Sequence, residues 1–248
     1  IYEQNSGTFS VRKGPVFTNI VIADEINRSP AKVQSALLEA MAEKQVTIGE
    51  ETYPLPSPFL VLATQNPIEQ EGTYNLPEAE LDRFLVKVLV PYPSAQEEIA
   101  IVKTAGKAGE VPVSQILSAQ DLKEMQTLLD TVNCDEKLIE YIVSIVSATR
   151  PLQEKKQSSK IAVRTMPKRD DISRYISFGC SPRAGIALLQ CAKARALFAG
   201  RDFVLPEDIK ESAPSALRHR IVLSYEAMAD GVTSDDLIQK ILENLPLP

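Results

Sequence analysis

Two short apolar runs, Asn19 to Ala23 and Phe59 to Ala63, constrain the fold of this chain more than any other feature. Each is continuous rather than alternating, and the first is rich in β-branched residues, which is the pattern of a strand covered on both faces of a parallel sheet. Between them, Ser29-Pro30 offers an N-cap with proline at the first helical position. Val33, Ala36, Leu37, Ala40 and Met41 then recur at helical spacing, which predicts a core-facing helix of about three to four turns. After it, Val46-Thr47-Ile48 and Thr52-Tyr53-Pro54-Leu55 flank Gly49-Glu50-Glu51 and predict a β-hairpin. The opening part of the chain is therefore expected to be βαβ-like, with a hairpin inserted in the crossover.

The pattern changes near Pro91-Tyr92-Pro93-Ser94, dividing the chain into an α/β part, 1–92, and a helical part, 93–248. In the second part, helices are predicted over 95–107, 118–132 and 135–149, the middle one opening with the capping-box-like pair Ser118 and Asp121. A polar stretch, 153–171, interrupts them. Ser181-Pro182 starts another helix, which carries Ile186, Leu189, Ala192 and Ala196 and stops at Gly200, a residue suited to the left-handed position past a helix end. Further helices are predicted over 206–217 and 234–245.

Composition narrows the chemistry. The 248 residues carry 27 Lys+Arg against 33 Asp+Glu, a formal net charge of −6, which argues against broad electrostatic attraction to nucleic acid. No apolar run approaches the ~18 residues needed to span a bilayer, and no signal-peptide pattern opens the chain, so a soluble, cytoplasmic protein is expected. Cys134, Cys180 and Cys191 form no CxxC pair and have only His219 as a companion imidazole. This excludes the usual zinc sites, argues against a disulfide scaffold and leaves three buried thiols as the expectation. A hydrolytic triad would rest on His219 alone, which sits between Arg218 and Arg220. The chemistry is therefore sought in carboxylates, asparagine and arginine.

The run Ile20-Val21-Ile22-Ala23 ends in Asp24-Glu25. A parallel strand presents its carboxyl end to the ligand crevice, where the first acid can hold a hydration water of Mg²⁺ and the second can polarise an attacking water. Acids at an exposed strand end are also ordinary, so both readings of the pair stand on the residues alone. The second run ends in Thr64-Gln65-Asn66-Pro67. If the two strands are neighbours, Asn66 arrives beside Glu25, where its amide can orient a water; an Asn-Pro turn is the plainer alternative. Arg83 lies near the end of a short helix in Leu76-Pro77-Glu78-Ala79-Glu80-Leu81-Asp82-Arg83-Phe84, with Glu80 as a local partner. Arg183 falls at about the second position of its helix, where the helix dipole disfavours a cation; it is either a surface arginine or part of an anion site.

In their order, these signals resemble the MoxR family of AAA+ ATPases. Gly14-Pro15-Val16-Phe17, Ala23-Asp24-Glu25-Ile26-Asn27-Arg28, Gln34-Ser35-Ala36-Leu37-Leu38-Glu39-Ala40-Met41, Ala63-Thr64-Gln65-Asn66-Pro67, Glu71-Gly72-Thr73-Tyr74 and Leu76-Pro77-Glu78-Ala79 carry the likeness, which covers nearly the whole chain. The resemblance implies an α/β AAA+ core with a parallel sheet over 1–92 and an all-helical lid over 93–248. It implies ATP and Mg²⁺ as ligands, Asp24-Glu25 as the Walker B pair with Asp24 on Mg²⁺ through water, and Asn66 as sensor 1. Arg83 is then the arginine finger reaching a neighbouring subunit's nucleotide, and Arg183 is sensor 2. It further implies a homo-oligomeric, hexameric ring that remodels or matures partner proteins, including ones with a von Willebrand factor A domain. Ser6 to Lys13 and the hairpin from Gln45 to Leu55 would be insertions near the ring's pore.

One family element is missing from the 248 residues. A phosphate loop needs GxxxxGK[ST], and the only Gly-Lys step, Gly106-Lys107, has Ile101 in place of the first glycine and Ala108 in place of the hydroxyl residue. Before Asp24 there are 23 residues, with Gly7 and Gly14 their only glycines. The expectation is an N-terminally truncated fragment without the Walker A segment, inactive by itself. The alternatives are a degenerate, non-catalytic AAA+ adaptor and a related motor of the magnesium chelatase or helicase type.

Overall fold

The computed structural model of the chain describes residues 2–3, 8–9, 11, 13–66, 76–104, 113–151 and 170–248. Near the start, β1 (Tyr2–Glu3) and β2 (Thr8–Phe9) pair antiparallel. The central feature follows: β3 (Ile20–Ala23), a 3₁₀ turn (Ile26–Arg28), α1 (Ala31–Glu43), the hairpin β4 (Gln45–Ile48) and β5 (Glu51–Pro54), then β6 (Leu60–Ala63). β6 lies directly beside β3 in parallel register, Ile20 opposite Leu60 and Ala23 opposite Ala63. The expected βαβ unit with a hairpin in its crossover is thus formed, and Gly49 takes the left-handed conformation (φ 67°) that the hairpin turn requires.

Two expectations for this part are corrected. The strands are not covered on both faces: Ile20, Ile22, Leu60 and Leu62 are each at least half exposed, while Val21, Ala23, Val61 and Ala63 are half-buried. Among the described residues the sheet contains only β3 and β6, and one layer cannot bury both faces of a strand. The buried stripe of α1 is also rotated from the apolar count. Gln34, Leu38 and Ala40 are buried, whereas Val33 is exposed. The cause is Gln34, whose amide donates to the carbonyls of Ile26 (3.0 Å) and Ser29 (3.1 Å) and so anchors the helix to the 3₁₀ turn through a polar residue. Helix α1 begins one residue later than expected, with Pro30 at the N-cap.

After the short α2 (Glu78–Leu81), an exposed segment leads to α3 (Ala95–Thr104). The helical part continues with α4 (Ala119–Thr131), α5 (Glu136–Ala148), α6 (Asp170–Ser173), α7 (Pro182–Phe198), α8 (Pro206–Leu217), α9 (Tyr225–Ala229) and α10 (Ser234–Asn244). Local chemistry sets their ends. Ser118 and Asp121 form the expected capping box, Ser181 caps α7, and Gly200 takes φ 71° just past it. Helix α7 packs on α8, α5 and α4, and α10 on α8 and α5, around a core that includes Ile145, Leu188, Ile209, Leu217 and Ile241, all fully buried.

Helix α7 meets its neighbours through small residues, Ala184, Ala187, Ala192 and Ala196, with Leu188, while Ile186 is exposed. Small side chains let the helices approach closely, and a Cβ at Gly185 would already touch Ile142 at 3.7 Å. The helical part also holds a ribbon that periodicity did not reveal, β7 (Ile176–Phe178) paired antiparallel with β8 (Val222–Leu223). All three cysteines are free. Cys180 is buried, and that burial pushes its thiol up to about 11; Cys134 and Cys191 are only half-buried, which corrects the expectation of three buried thiols. Among the described residues no helix is long and apolar enough to cross a membrane.

Candidate active site

The carboxyl end of β3 supplies the first group of candidates. Asp24 is exposed and Glu25 half-buried, and both lie where the chain leaves the sheet for the 3₁₀ turn. Glu25 adopts a left-handed backbone (φ 47°, ψ 51°), which costs a non-glycine residue roughly 1–3 kcal/mol and is held only where the surroundings fix it. Thr64, the residue after β6, does the fixing. Its hydroxyl accepts the Glu25 N–H (2.8 Å) and donates to Asp24 Oδ1, while its carbonyl accepts the Ile26 N–H (3.0 Å) and its own N–H reaches the Ala23 carbonyl (3.0 Å). The Glu25 carboxylate meets Arg28 Nε at 3.2 Å, with both side chains partly exposed.

Asn66 lies two residues beyond Thr64 and is exposed; its carbonyl accepts from the buried Asn27 amide at 3.4 Å. The parallel pairing therefore brings Asp24, Glu25, Thr64 and the start of the Gln65-Asn66 segment to one edge of the sheet. The residue that touches the two acids is Thr64. Sequence reasoning passed over it, although a hydroxyl residue directly after the second apolar run was the available signal.

Arg83 follows α2 by two residues and is exposed. The expected pairing with Glu80 is absent among the described residues; Glu80 instead accepts a weak hydrogen bond from Ser35 (3.4 Å). Ser35, Leu38, Glu39, Glu43, Glu80 and Arg83 border a groove of about 370 Å³ between α1 and α2.

Arg183 is the second residue of α7, as expected, and its backbone N–H is received by the Ser181 hydroxyl at 3.1 Å. The anion that its position favours is present, and it belongs to the chain itself. Asp82 Oδ2 accepts from Ser181 Oγ (2.8 Å) and lies 3.8 Å from Arg183 Nη1, so a carboxylate occupies the positive end of the α7 dipole. Asp82 Oδ1 accepts from Nε of the buried Arg220 (2.9 Å).

Arg220 then donates to the carbonyls of Asp82 (3.1 Å), Phe84 (2.6 Å) and Leu85 (3.1 Å), and also to that of Ala216. Beside it, His219 Nε2 meets the Phe84 carbonyl at 3.0 Å and Arg218 donates to the Lys87 carbonyl at 2.9 Å. Burial, and after it the neighbouring Arg220 charge, push His219 down to about 4, so the ring is neutral near pH 7.

The predicted residues thus fall into two groups. Asp24, Glu25 and the segment leading to Asn66 share the strand ends, whereas Arg83 and Arg183 are both linked to Asp82, Arg83 by the chain and Arg183 by charge. Pro67, Glu71 to Tyr74 and Gly106 to Ala108 lie outside the described residues, as do Ser6, Gly7, Ser10 and Arg12 of the Ser6 to Lys13 segment. Asp82 and Arg220 were missed, because a contact across 138 residues leaves no local trace.

Comparison with known proteins supplies the context for this geometry. Residues 1–86 match the family described as ATPase family associated with various cellular activities (AAA), and residues 168–241 match the AAA lid domain. The whole chain is 44% identical to chaperone MoxR1 of Mycobacterium tuberculosis, of which it spans 62%. It is 39% identical to the uncharacterized protein YeaC of Bacillus subtilis, of which it spans 71%. A crystal structure of a candidate ATPase from Cytophaga hutchinsonii superposes on the entire chain with a TM-score of 0.85 at 46% identity, the chain covering 72% of that protein.

Proposed function

The chain belongs to the MoxR family of AAA+ ATPases, and from that premise we propose that it is part of a Mg-ATP hydrolase whose turnover drives remodelling or maturation of a partner protein. The observation that carries this reading is the β3–β6 pairing, which sets two carboxylates and the Thr64-to-Asn66 segment on adjacent strand ends. In this proposal Glu25 polarises the attacking water. Asn66 orients the same water through its amide. Arg183 contacts the γ-phosphate from the start of α7, and Arg83 reaches the nucleotide of a neighbouring subunit in a hexameric ring.

Asp24 suits a Mg²⁺ that accompanies the nucleotide. It is exposed, one oxygen receives the Thr64 hydroxyl, and the other has no protein partner among the described residues. Mg²⁺ that accompanies a nucleotide is commonly held by one or two carboxylates, water and the substrate phosphates, a role one exposed carboxylate can fill. Bound Mg²⁺ supplies neutralisation of charge on the phosphate oxygens. The GxxxxGK[ST] element is not among the 248 residues, so residues 1–248 by themselves are proposed to lack tight ATP binding. We place the assembly in the cytoplasm, with proteins carrying a von Willebrand factor A domain as a partner class.

Replacing Glu25 by Gln in the full-length protein tests the central role. ATP binding is expected to persist while hydrolysis falls by about 10²–10⁴-fold, the range for removing a general base. Wild-type turnover in that variant would remove Glu25 from the chemistry. Titration calorimetry on residues 1–248 alone checks the second statement: micromolar ATP affinity there contradicts it.

A further inference from the structure

We propose that Asp82 is a positioning residue that couples a subunit's own nucleotide to the pose of Arg83, the arginine it presents to its neighbour. The inference rests on the roles given above to Arg183 and Arg83. Its basis is the unequal pair of bonds made by one carboxylate. Oδ1 is tied to Arg220, whose side chain is 3% exposed, at 2.9 Å. Oδ2 faces Ser181 at 2.8 Å and Arg183, whose side chain is 57% exposed, at 3.8 Å.

The first tie is permanent on physical grounds. Breaking it strands a carboxylate that is itself 15% exposed and frees the donors that Arg220 directs at the carbonyls of Asp82, Phe84 and Leu85. The second tie is a long, solvent-screened pair of the kind that contributes little and is readily exchanged. An incoming polyphosphate offers Arg183 and the α7 N-terminus more negative charge than one carboxylate does. It would therefore draw Arg183 from Asp82 while leaving Asp82 on Arg220. The carboxylate that loses Arg183 is in the residue preceding Arg83, and the backbone on both sides of Arg83 is gripped by Arg220. Asp82 is thus an internal occupant of the sensor position; when Arg183 leaves, the carboxylate charge is met by Arg220 alone, whose other donors hold the carbonyls of Asp82 and Phe84 on either side of Arg83, and that is the route to Arg83.

The test is a double-mutant cycle in the full-length, assembled protein. It measures affinity for a non-hydrolysable ATP analogue with Mg²⁺, and the ATP-concentration dependence of hydrolysis. Asp82→Asn keeps one acceptor oxygen, which can face Arg220, and an amide that can donate to the Ser181 hydroxyl, but it removes the competing charge. It is expected to tighten analogue binding about two- to fivefold, the scale of an exposed ion pair. The gain should vanish when Arg183 is also Ala, and Asp82→Glu should restore wild-type affinity. Sigmoidal hydrolysis in the wild type is expected to flatten in Asp82→Asn, because the signal to Arg83 is lost. Thermal melting identifies variants that fail to fold, and for these the Asp82→Glu result decides. A lowered melting temperature with analogue affinity unchanged in Asp82→Asn overturns the inference and leaves the functional reading intact. If Arg183→Ala alone leaves affinity unchanged, the sensor assignment falls and this inference falls with it.

Discussion

The helical part and the strand pair use the same aliphatic residues to opposite ends. In the helical part, Ile145, Leu188, Ile209, Leu237 and Ile241 are fully enclosed by facing helices. On the strands, Ile20 and Ile22 of β3 are 55% and 71% exposed, and Leu60 and Leu62 of β6 about half. Identity does not decide burial; the number of layers does. The two halves of the candidate site consequently rest on different supports. Arg183 stands on a helix fixed by extensive packing, whereas Asp24 and Glu25 are held by backbone hydrogen bonds and Thr64 beside a small apolar cluster of Ile26, Leu38 and Leu76.

If packing dominates one region and polar ties the other, substitutions should separate them. The largest effect is expected where the regions join. Arg220→Leu leaves Asp82 and several carbonyls without their donor and should lower unfolding free energy by about 3–5 kcal/mol in denaturant titration. A loss below about 1 kcal/mol would mean that the two regions are not joined there. Next, Ile145→Ala should cost about 2–5 kcal/mol, as truncation of an enclosed side chain does.

His219 sharpens the same boundary through pH. Its native value of about 4 lies below the ordinary 6.5, so between those values the unfolded chain binds more protons. Stability is therefore complete above about pH 6.5 and declines as pH falls toward 4, by at most about 3 kcal/mol from this group. His219→Gln retains a donor for the Phe84 carbonyl, and its stability should fall less over that interval in parallel thermal melts. The smallest effect belongs to the open sheet face: in residues 1–248 by themselves, Ile22→Ala is expected to stay within about 0.5 kcal/mol. A cost matching that of Ile145→Ala would erase the contrast.

Legibility in the sequence followed the range of the interactions. The ends of α4, α7 and α8 were readable because Ser118, Ser181-Pro182, Gly200 and Pro206 act within one turn. The two apolar runs marked β3 and β6 and placed Asp24 and Glu25 at a strand end, but left their direct pairing as a condition that the structure meets. Gln34 misled the periodicity count, because an apolar tally has no place for a buried amide that satisfies two carbonyls. The β7–β8 ribbon is too short to show a period. Asp82 could be read only as one more charge on a short helix, since its partners Ser181 and Arg220 lie about 100 and 140 residues away and only the folded chain brings them together.

The Arg220 grip also has an evolutionary reading. Apart from one carboxylate, everything it holds is main-chain carbonyl oxygen, at Asp82, Phe84, Leu85 and Ala216. Every amino acid offers that oxygen, so the grip is blind to which side chain stands at position 85, where Leu85 is half exposed. Sequence drift can proceed there while position 220 stays closed to change, and the joint between the regions can outlast the wording of the segment that it holds.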